Sequence, residues 1–158
     1  MGAGRPGQSR PGAAGGDELN RLIPGHNYGW PVVSLGRNYT GTLVSEQPWF
    51  RKGMDMPIFH WNPQINPSNM LFYTGRKFPT LTGHLIVAGA GTKRLVALTI
   101  KGDFVRQVDS MLRELNVRFR DIRQGPDECL YVLTEGRSRG NQDTDGMLLR
   151  IEPGPASN

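Results

Sequence analysis

Residues 84–104 read His-Leu-Ile-Val-Ala-Gly-Ala-Gly-Thr-Lys-Arg-Leu-Val-Ala-Leu-Thr-Ile-Lys-Gly-Asp-Phe. Short apolar runs that are rich in Val, Ile and Leu and bounded by turn residues are typical of β-strands, which predicts strands at 84–90 and 94–100. Lys101-Gly102-Asp103 separates the second run from a third one at 104–108, and this predicts a tight hairpin. The stretch therefore predicts an antiparallel meander of short strands.

The same signature occurs on both sides of this stretch, and it predicts further strands at 57–61, 69–74, 129–134 and 147–151. No convincing helix is found, because the one candidate, 108–115, is short and lacks a strong cap. Segments 83–88 and 128–133 are each a turn followed by an apolar strand, about 45 residues apart, within the usual spacing of propeller blades. The fold class is all-β, with a sandwich, a barrel or propeller blades as the alternatives.

The composition limits the function classes. The chain has 158 residues, of which 21 are glycine and 12 proline, and 37% are hydrophobic. This balance suits many short strands joined by turns, or partial disorder. The net charge is +5, but the basic residues are scattered, which argues against a nucleic-acid-binding protein. An ordinary solvated surface, or an affinity for anions, fits better.

The ends of the chain and its single cysteine give further expectations. Residues 1–14 consist mainly of Gly, Ala, Pro, Arg, Ser and Gln, so we expect them to be disordered and not to act as a secretion signal. Residues 154–158 are expected to be a flexible tail. No apolar run is long enough to span a membrane. Cys129 lies in the apolar run Cys-Leu-Tyr-Val-Leu, which predicts a buried structural thiol rather than a nucleophile.

An ordered set of motifs runs along the chain: GGDELN at 15–20, PGHNYGWP at 24–31, GRNY at 36–39, NPS at 66–68, FYTG at 72–75, RFRDI at 118–122 and GPD at 125–127. The set resembles the glucose/sorbosone dehydrogenase family, and within it the soluble aldose sugar dehydrogenases. The resemblance covers residues 15–153. It implies a six-bladed β-propeller that binds pyrroloquinoline quinone (PQQ) and calcium and oxidises aldose sugars at the anomeric carbon to lactones. This chain would supply the C-terminal part, roughly the last two to three blades.

The resemblance implies a calcium site at the GGDELN motif, with the side chain of Glu18 and the backbone carbonyl of Tyr28 as ligands. Calcium prefers several oxygen ligands and tolerates loose geometry, so a loop with a carboxylate and exposed carbonyls suits it. The alternative is that Glu18 is a surface or capping carboxylate.

Arg118 and Arg120 are the most specific pair of candidate residues. If residues 117–123 form a strand, these side chains share one face, whereas Phe119 points into the packing of the blade and Asp121 lies on the opposite face. Two guanidiniums on one face can bind carboxylates in a forked geometry, and PQQ is a tricarboxylate. The alternative is a pair of solvated arginines on an edge strand.

The resemblance also implies cofactor contacts elsewhere. The cofactor-binding residues are expected to be Tyr39, Gly89, Ala90, Gly91, Thr92, Lys93, Arg118, Phe119 and Arg120. For 89–93 the alternative is an ordinary Gly-rich hairpin. We further expect Trp30, Trp49 and Trp61 to pack between blades, and His26, His60 and His84 to be structural or exposed.

The catalytic machinery is expected to be incomplete in this chain. The resemblance places the general-base histidine upstream of GGDELN, so we expect no catalytic residue here and no activity of the chain alone. Its partners would be the missing N-terminal blades, an aldose substrate and an external electron acceptor. The family is commonly periplasmic or secreted. The alternative function is a non-catalytic β-propeller module that binds a partner protein or a carbohydrate.

Two departures from the family pattern bear on the structure. Glu128 replaces the usual glycine after Gly-Pro-Asp, which costs strain if its φ is positive. Residues 137–146, rich in Gly, Asn and Asp, are expected to form a longer surface loop than is typical.

Overall fold

The computed structural model of the chain describes residues 2–3, 15–38, 40–46, 49–139 and 142–154. Within these residues the chain is all-β, with one 3₁₀ turn, η1, at Arg113–Leu115 and no α-helix. The strands are β1 Gly2–Ala3, β2 Asp17–Asn20, β3 Phe59–Trp61, β4 Pro67–Phe72, β5 Leu85–Gly89, β6 Arg94–Lys101, β7 Phe104–Met111, β8 Phe119–Gln124, β9 Leu130–Thr134, β10 Arg137–Arg139, β11 Gln142–Thr144 and β12 Leu148–Ile151.

Residues 84–104 form β5, β6 and the first residue of β7 in a four-stranded antiparallel sheet, whose strand order is β4-β5-β6-β7. Lys101 pairs with Phe104 across a turn of two residues, Gly102 and Asp103, and Gly102 has a φ of 62°. A positive φ at this position is what a tight hairpin requires and what glycine adopts without strain. The predicted meander and its hairpin are confirmed.

A second sheet has three strands in the order β12-β9-β8. The strands β5 and β9 are each the second strand of their sheets, which explains the likeness of segments 83–88 and 128–133. The first strands of the two sheets are joined by side chains, because Ser68 Oγ donates to the Phe119 carbonyl at 2.8 Å and Asn69 Nδ2 donates to Asp121 Oδ1 at 2.5 Å. The inner strands β4 and β8 therefore lie next to each other.

The core has two halves, one on each face of the four-stranded sheet. Successive residues of a strand point to opposite faces, so Ile86 and Ala88 pack on one side and Leu85 and Val87 on the other. The first half includes residues of β8 and β9, and the second includes Leu19 of β2 together with residues near β3. The sheet β1-β2-β3 and the sheet β12-β9-β8 thus cover opposite faces of the central sheet, as blades do in a propeller.

Several expectations differ from the structure. Trp61 is buried, but Trp30 and Trp49 are 67% and 65% exposed, so the prediction that all three pack between blades is wrong for these two. The predicted loop 137–146 contains the paired strands β10 and β11. The predicted disorder of residues 1–14 stays a prediction, since only Gly2 and Ala3 are described there, and they pair with β2. Residues 155–158 of the predicted tail lie outside the described residues.

Cys129 is fully buried, as the apolar run around it predicts. In the described part of the chain, no helix has the length and apolar character that crossing a membrane requires.

Candidate functional site

Arg118 and Arg120 meet at one carboxylate. Arg118 Nε lies 3.0 Å from Glu135 Oε2, and Arg120 Nη2 lies 2.6 Å from Glu135 Oε1. The two arginine side chains are 44% and 47% exposed. The two side chains therefore lie on one side of the chain at the start of β8, and both remain accessible to a ligand. The regular strand that we expected over 117–123 begins only at Phe119, so it is their shared contact with Glu135 that brings the two arginines together.

The residues around the pair point elsewhere. Phe119 is fully buried, so its side chain packs in the core and does not face a ligand. Asp121 accepts from Asn69 and pairs with Arg123 at 3.3 Å, and no described hydrogen bond or ion pair joins its side chain to either arginine of the pair. The register shift between Phe119 and Asp121 leaves Arg120 as the extra residue of a bulge, and bulges commonly re-aim a side chain.

Glu135 is a site residue that the sequence analysis missed. Phe119 pairs with Thr134 in the antiparallel ladder of β8 and β9, so one step further along places Glu135 opposite Arg118. The Glu135 N–H donates to the Arg118 carbonyl at 2.8 Å. The position of Glu135 beside Arg118 follows from the register of β8 and β9, and the sequence alone does not give that register.

The loop Gly89–Lys93 is held against the segment that precedes β4. The N–H of Ala90 donates to the Asn66 carbonyl at 3.0 Å, and the N–H of Gly91 donates to the Ile65 carbonyl at 2.9 Å. A Cβ on Gly91 would lie 2.7 Å from Asn66 Nδ2, so a larger residue there would displace the Asn66 side chain. The loop is thus the hairpin connection between β5 and β6, and it is packed against this segment.

Two side chains of this loop have distinct surroundings. Lys93 has a φ of 53°, and its Nζ donates to Asn116 Oδ1 at 2.8 Å. Thr92 Oγ1 is buried and has no hydrogen-bond partner among the described residues. A buried hydroxyl without a partner is costly unless a ligand satisfies it, which fits a ligand contact at Thr92.

Asp17 connects this loop to the GGDELN motif. Its Oδ2 accepts from the N–H groups of Ile65 and Asn66, each at 2.7 Å. The same two residues accept the hydrogen bonds of Ala90 and Gly91 through their carbonyls. The motif and the loop are therefore linked by one chain of hydrogen bonds through Ile65 and Asn66.

Glu18 lies on β2, one residue beyond Asp17. Burial raises the pKa of its carboxyl, a hydrogen bond from Asn20 lowers it, and the charge of Asp17 raises it further. Asn20 Nδ2 donates to Glu18 Oε2 at 3.3 Å, and Asn20 Oδ1 is buried without a partner among the described residues. A half-buried carboxylate beside an unsatisfied amide oxygen suits a hard cation.

Tyr28, whose backbone carbonyl is the second expected calcium ligand, makes no described contact with Glu18, and that role stays a prediction. Its hydroxyl donates to the Arg21 carbonyl at 2.7 Å and accepts from the Ile23 N–H at 2.6 Å. The described part of the chain also has no group of three or more His, Cys, Asp or Glu side chains that could hold a metal. Any calcium bound at Glu18 would thus depend on amide, carbonyl or water oxygens as well.

A cleft of about 370 Å³ lies beside the GGDELN motif. Its lining combines an indole, an imidazole, an amide and a guanidinium, and consists of Gly15, Gly16, Leu35, Arg37, Leu43, Trp49, His60 and Asn62. A Cβ on Gly16 would lie 2.5 Å from the backbone nitrogen of Gly36, so glycine is needed for the close approach that shapes the cleft. These residues come from distant segments, and for that reason their proximity was not predicted. Tyr39 lies outside the described residues.

The comparisons with known proteins all match one family. The family model described as Glucose / Sorbosone dehydrogenase matches residues 7–150. Aldose sugar dehydrogenase YliI from Escherichia coli (strain K12) is 35% identical over 143 residues, which are 90% of this chain and 37% of that protein. The crystal structure of the soluble aldose sugar dehydrogenase from Escherichia coli in the apo-form is similar with a TM-score of 0.79 and 34% identity, over 90% of this chain and 40% of that one.

A more distant structure shows the fold alone. The PQQ-bound form of aldose sugar dehydrogenase from Streptomyces coelicolor is 24% identical, with a TM-score of 0.57, over 90% of this chain and 37% of that one. The chain thus spans 37–40% of the length of these relatives.

Proposed function

This chain belongs to the glucose/sorbosone dehydrogenase family, and on that premise we propose that it forms the cofactor-binding part of a β-propeller enzyme that oxidises aldose sugars. Its relatives are oxidoreductases named as aldose sugar dehydrogenases. The chain is the C-terminal part of such a propeller, comprising the sheets β4-β5-β6-β7 and β12-β9-β8 and the sheet that covers the first of them.

The proposed cofactor is PQQ. When bound, it would accept the electrons that the sugar loses, and the protein would contribute binding, orientation and electrostatics. Arg118 and Arg120 would meet the carboxylates of the quinone with charge-assisted hydrogen bonds. The loop Gly89–Lys93 would contribute backbone atoms and the hydroxyl of Thr92, whose buried Oγ1 supports this assignment. Tyr39 and Lys93 remain proposed contacts on the basis of the family resemblance.

The proposed metal is calcium at Glu18. The half-buried carboxylate and the unsatisfied Oδ1 of Asn20 support it, and the carbonyl of Tyr28 remains a proposed ligand. Because Asp17 links this motif to the loop Gly89–Lys93 through Ile65 and Asn66, a cation here would stiffen the support of the cofactor loop.

We propose that the general base lies in the part of the propeller that this chain does not match. His26 pairs with Asp55 at 2.7 Å, and Nδ1 of His84 is buried without a described partner. Neither histidine lines the cleft beside the GGDELN motif. His60 lines the cleft with Trp49 and is proposed as a substrate contact. The isolated chain is accordingly expected to show no dye-linked aldose oxidation with calcium and PQQ.

The observation that carries the proposal is the convergence of Arg118 and Arg120 on one exposed face. The experiment is a chimera in which this chain replaces the matching segment of aldose sugar dehydrogenase YliI, with PQQ titrated into the apo enzyme until activity returns. Arg118→Ala and Arg120→Ala should each raise the PQQ concentration needed for half-maximal activity about tenfold, since each charge-assisted hydrogen bond contributes roughly 1.5–3 kcal/mol.

Arg123→Ala is the matched control, because Arg123 lies on the same strand but pairs with Asp121. It should reconstitute at the PQQ concentrations of the parent chimera. If both site variants also reconstitute at those concentrations, the two arginines are solvated edge residues and the proposed cofactor site is wrong.

A further inference from the structure

We infer that Glu135 is a positioning residue of a polycarboxylate site, one that holds the guanidiniums of Arg118 and Arg120 on one face and at the same time competes with the incoming ligand. The identity of the natural ligand as PQQ rests on the proposed function. The roles of Glu135 rest on contacts within this chain.

The anchoring of Glu135 supports a positioning role. Its backbone N–H is fixed by the Arg118 carbonyl at 2.8 Å, and its side chain is 31% exposed, less than either arginine. A well-held carboxylate with one oxygen toward each guanidinium restricts the rotamers of two long, flexible side chains. Binding to a prearranged pair loses less side-chain entropy than binding to two free arginines.

The geometry of the cluster leaves donors for a ligand. The contacts of Glu135 given above are with Nε of Arg118 and Nη2 of Arg120. A guanidinium carries several N–H donors in a fixed fork, and the remaining ones of both side chains make no other hydrogen bond within the described residues. These outward N–H groups are available to a second, larger set of carboxylates.

The bonds to Glu135 are themselves incomplete. Oε2 of Glu135 is buried and lies 3.0 Å from Arg118 Nε, yet it accepts no well-aligned hydrogen bond. Buried polar atoms are normally satisfied. Glu135 and Arg118 thus attract each other as charges but are not joined by a well-aligned hydrogen bond. This is expected of a carboxylate that holds the arginines and leaves their N–H donors for a ligand.

The charges define the competition. Two guanidiniums and one carboxylate leave the cluster with a single net positive charge, so a polyanion is attracted by the arginines and repelled by Glu135. Replacing Glu135 by glutamine keeps an acceptor oxygen and removes the repulsion. Replacing it by alanine removes both the repulsion and the acceptor, and the difference between the two variants isolates positioning.

The experiment uses this 158-residue chain and benzene-1,3,5-tricarboxylate as the probe, with affinity measured by calorimetry and the Nε–H signals of Arg118 and Arg120 followed by NMR. Glu135→Gln should bind about threefold more tightly than the wild type, a size typical of one partly exposed charge. Glu135→Ala should bind about threefold more weakly than Glu135→Gln, because free guanidiniums lose more entropy on binding. The two Nε–H signals should shift on titration in the wild type and in Glu135→Gln.

Glu114→Gln is the control for net charge, since Glu114 is an exposed residue of η1, and it should bind like the wild type. Equal affinities of Glu135→Gln and Glu135→Ala would overturn the positioning role, and a glutamine variant no tighter than the wild type would overturn the competition. If no form binds the probe, the polycarboxylate site itself is wrong. Should the alanine variant fail to fold in a thermal melt, the wild type, the glutamine variant and their Nε–H signals still decide.

The outcome is separate from that of the proposed function, because the probe needs neither quinone nor sugar. If the probe results are as expected while the arginine variants of the chimera reconstitute at the PQQ concentrations of the parent, PQQ is the wrong ligand and the role of Glu135 stands. If the chimera depends on the arginines while the Glu135 variants match the wild type, the proposed function stands and the role of Glu135 is wrong.

Discussion

Glu128 occupies a backbone conformation that favours glycine. Its φ is 62°, and its N–H donates to the Gly125 carbonyl while its carbonyl accepts from the Tyr73 hydroxyl. The Cβ of an L-residue is strained in this region. The carboxylate offsets part of that cost, because it accepts from the N–H of Arg76 at 2.9 Å, and these contacts hold the pKa of Glu128 below its usual range.

Comparing Glu128→Gly with Glu128→Ala separates backbone strain from the carboxylate contacts, since both variants lack the carboxylate. The glycine variant should melt about 2–4 °C higher than the alanine variant, because only glycine relieves the strain. Thermal unfolding followed by circular dichroism is the measurement. Identical melting temperatures would show that the turn tolerates the positive φ without cost.

Glu18 is the residue on which the calcium proposal depends. Calcium should raise the melting temperature of the wild type, and Glu18→Gln should reduce that rise because a charged oxygen ligand is lost. The test is a pair of melts with and without calcium for each form, with Glu114→Gln as an exposed carboxylate control. An equal calcium-dependent rise in the wild type and in Glu18→Gln would reject Glu18 as a ligand.

At the scale of the elements, one carboxylate fastens the turn before β9 to the outer strand β12. Asp127 Oδ2 accepts from Arg150 Nη2 at 2.8 Å and from the Tyr131 hydroxyl at 3.1 Å. Chiefly through the hydrogen bond from Arg150, the pKa of Asp127 lies well below its ordinary value of 3.8. Arg150 and Tyr131 are themselves partners in the strand ladder, so the link reinforces the pairing of β9 and β12.

A lowered carboxyl pKa stabilises the fold above the ordinary pKa, and this contribution is lost as the pH falls through the folded value. Asp127→Asn should therefore melt at a lower temperature than the wild type at neutral pH. The difference should persist down to about pH 5 and shrink below about pH 4. Melts across this range check it, with Asp103→Asn as a control on a remote exposed ion pair. A difference that does not change with pH would mean that Asp127 acts through packing instead of charge.

The strands β5, β6 and β9 were predictable because their apolar runs are continuous and turn residues mark their ends. The hairpin at Gly102 followed from the same signals. The strand β8 was not predictable in this way, because its sequence Phe-Arg-Asp-Ile-Arg-Gln has no such run. The exposure of Trp30 and Trp49 was not predictable, since hydrophobic character does not determine which side chains are covered by other parts of the chain. The partner of the arginines was missed for another reason, because Glu135 is brought there by strand register, which a local pattern does not encode.

At the scale of the whole molecule, the chain is a stack of sheets with its candidate groups at inner strands and connecting loops. The arginine pair lies at the start of β8, the loop Gly89–Lys93 joins β5 to β6, and Glu18 lies on β2. Each of the three stacked sheets contributes one of these candidate groups. The arrangement of parts could be anticipated from the family resemblance, whereas their hydrogen-bonded link through Ile65 and Asn66 required the structure.

The sheet β12-β9-β8 has one strand fewer than its neighbour β4-β5-β6-β7. This difference affects how the chain associates with other copies in solution. Of the described strands, only β9 pairs with β12, and Leu148 on β12 is 69% exposed. Unpaired edges recruit other chains, and a lysine on the edge discourages this. Leu148→Lys should therefore keep the chain monomeric at concentrations where the wild type self-associates, as measured by sedimentation velocity. Wild-type chain that stays monomeric at high concentration would mean that this edge does not govern how the protein behaves in crowded solution.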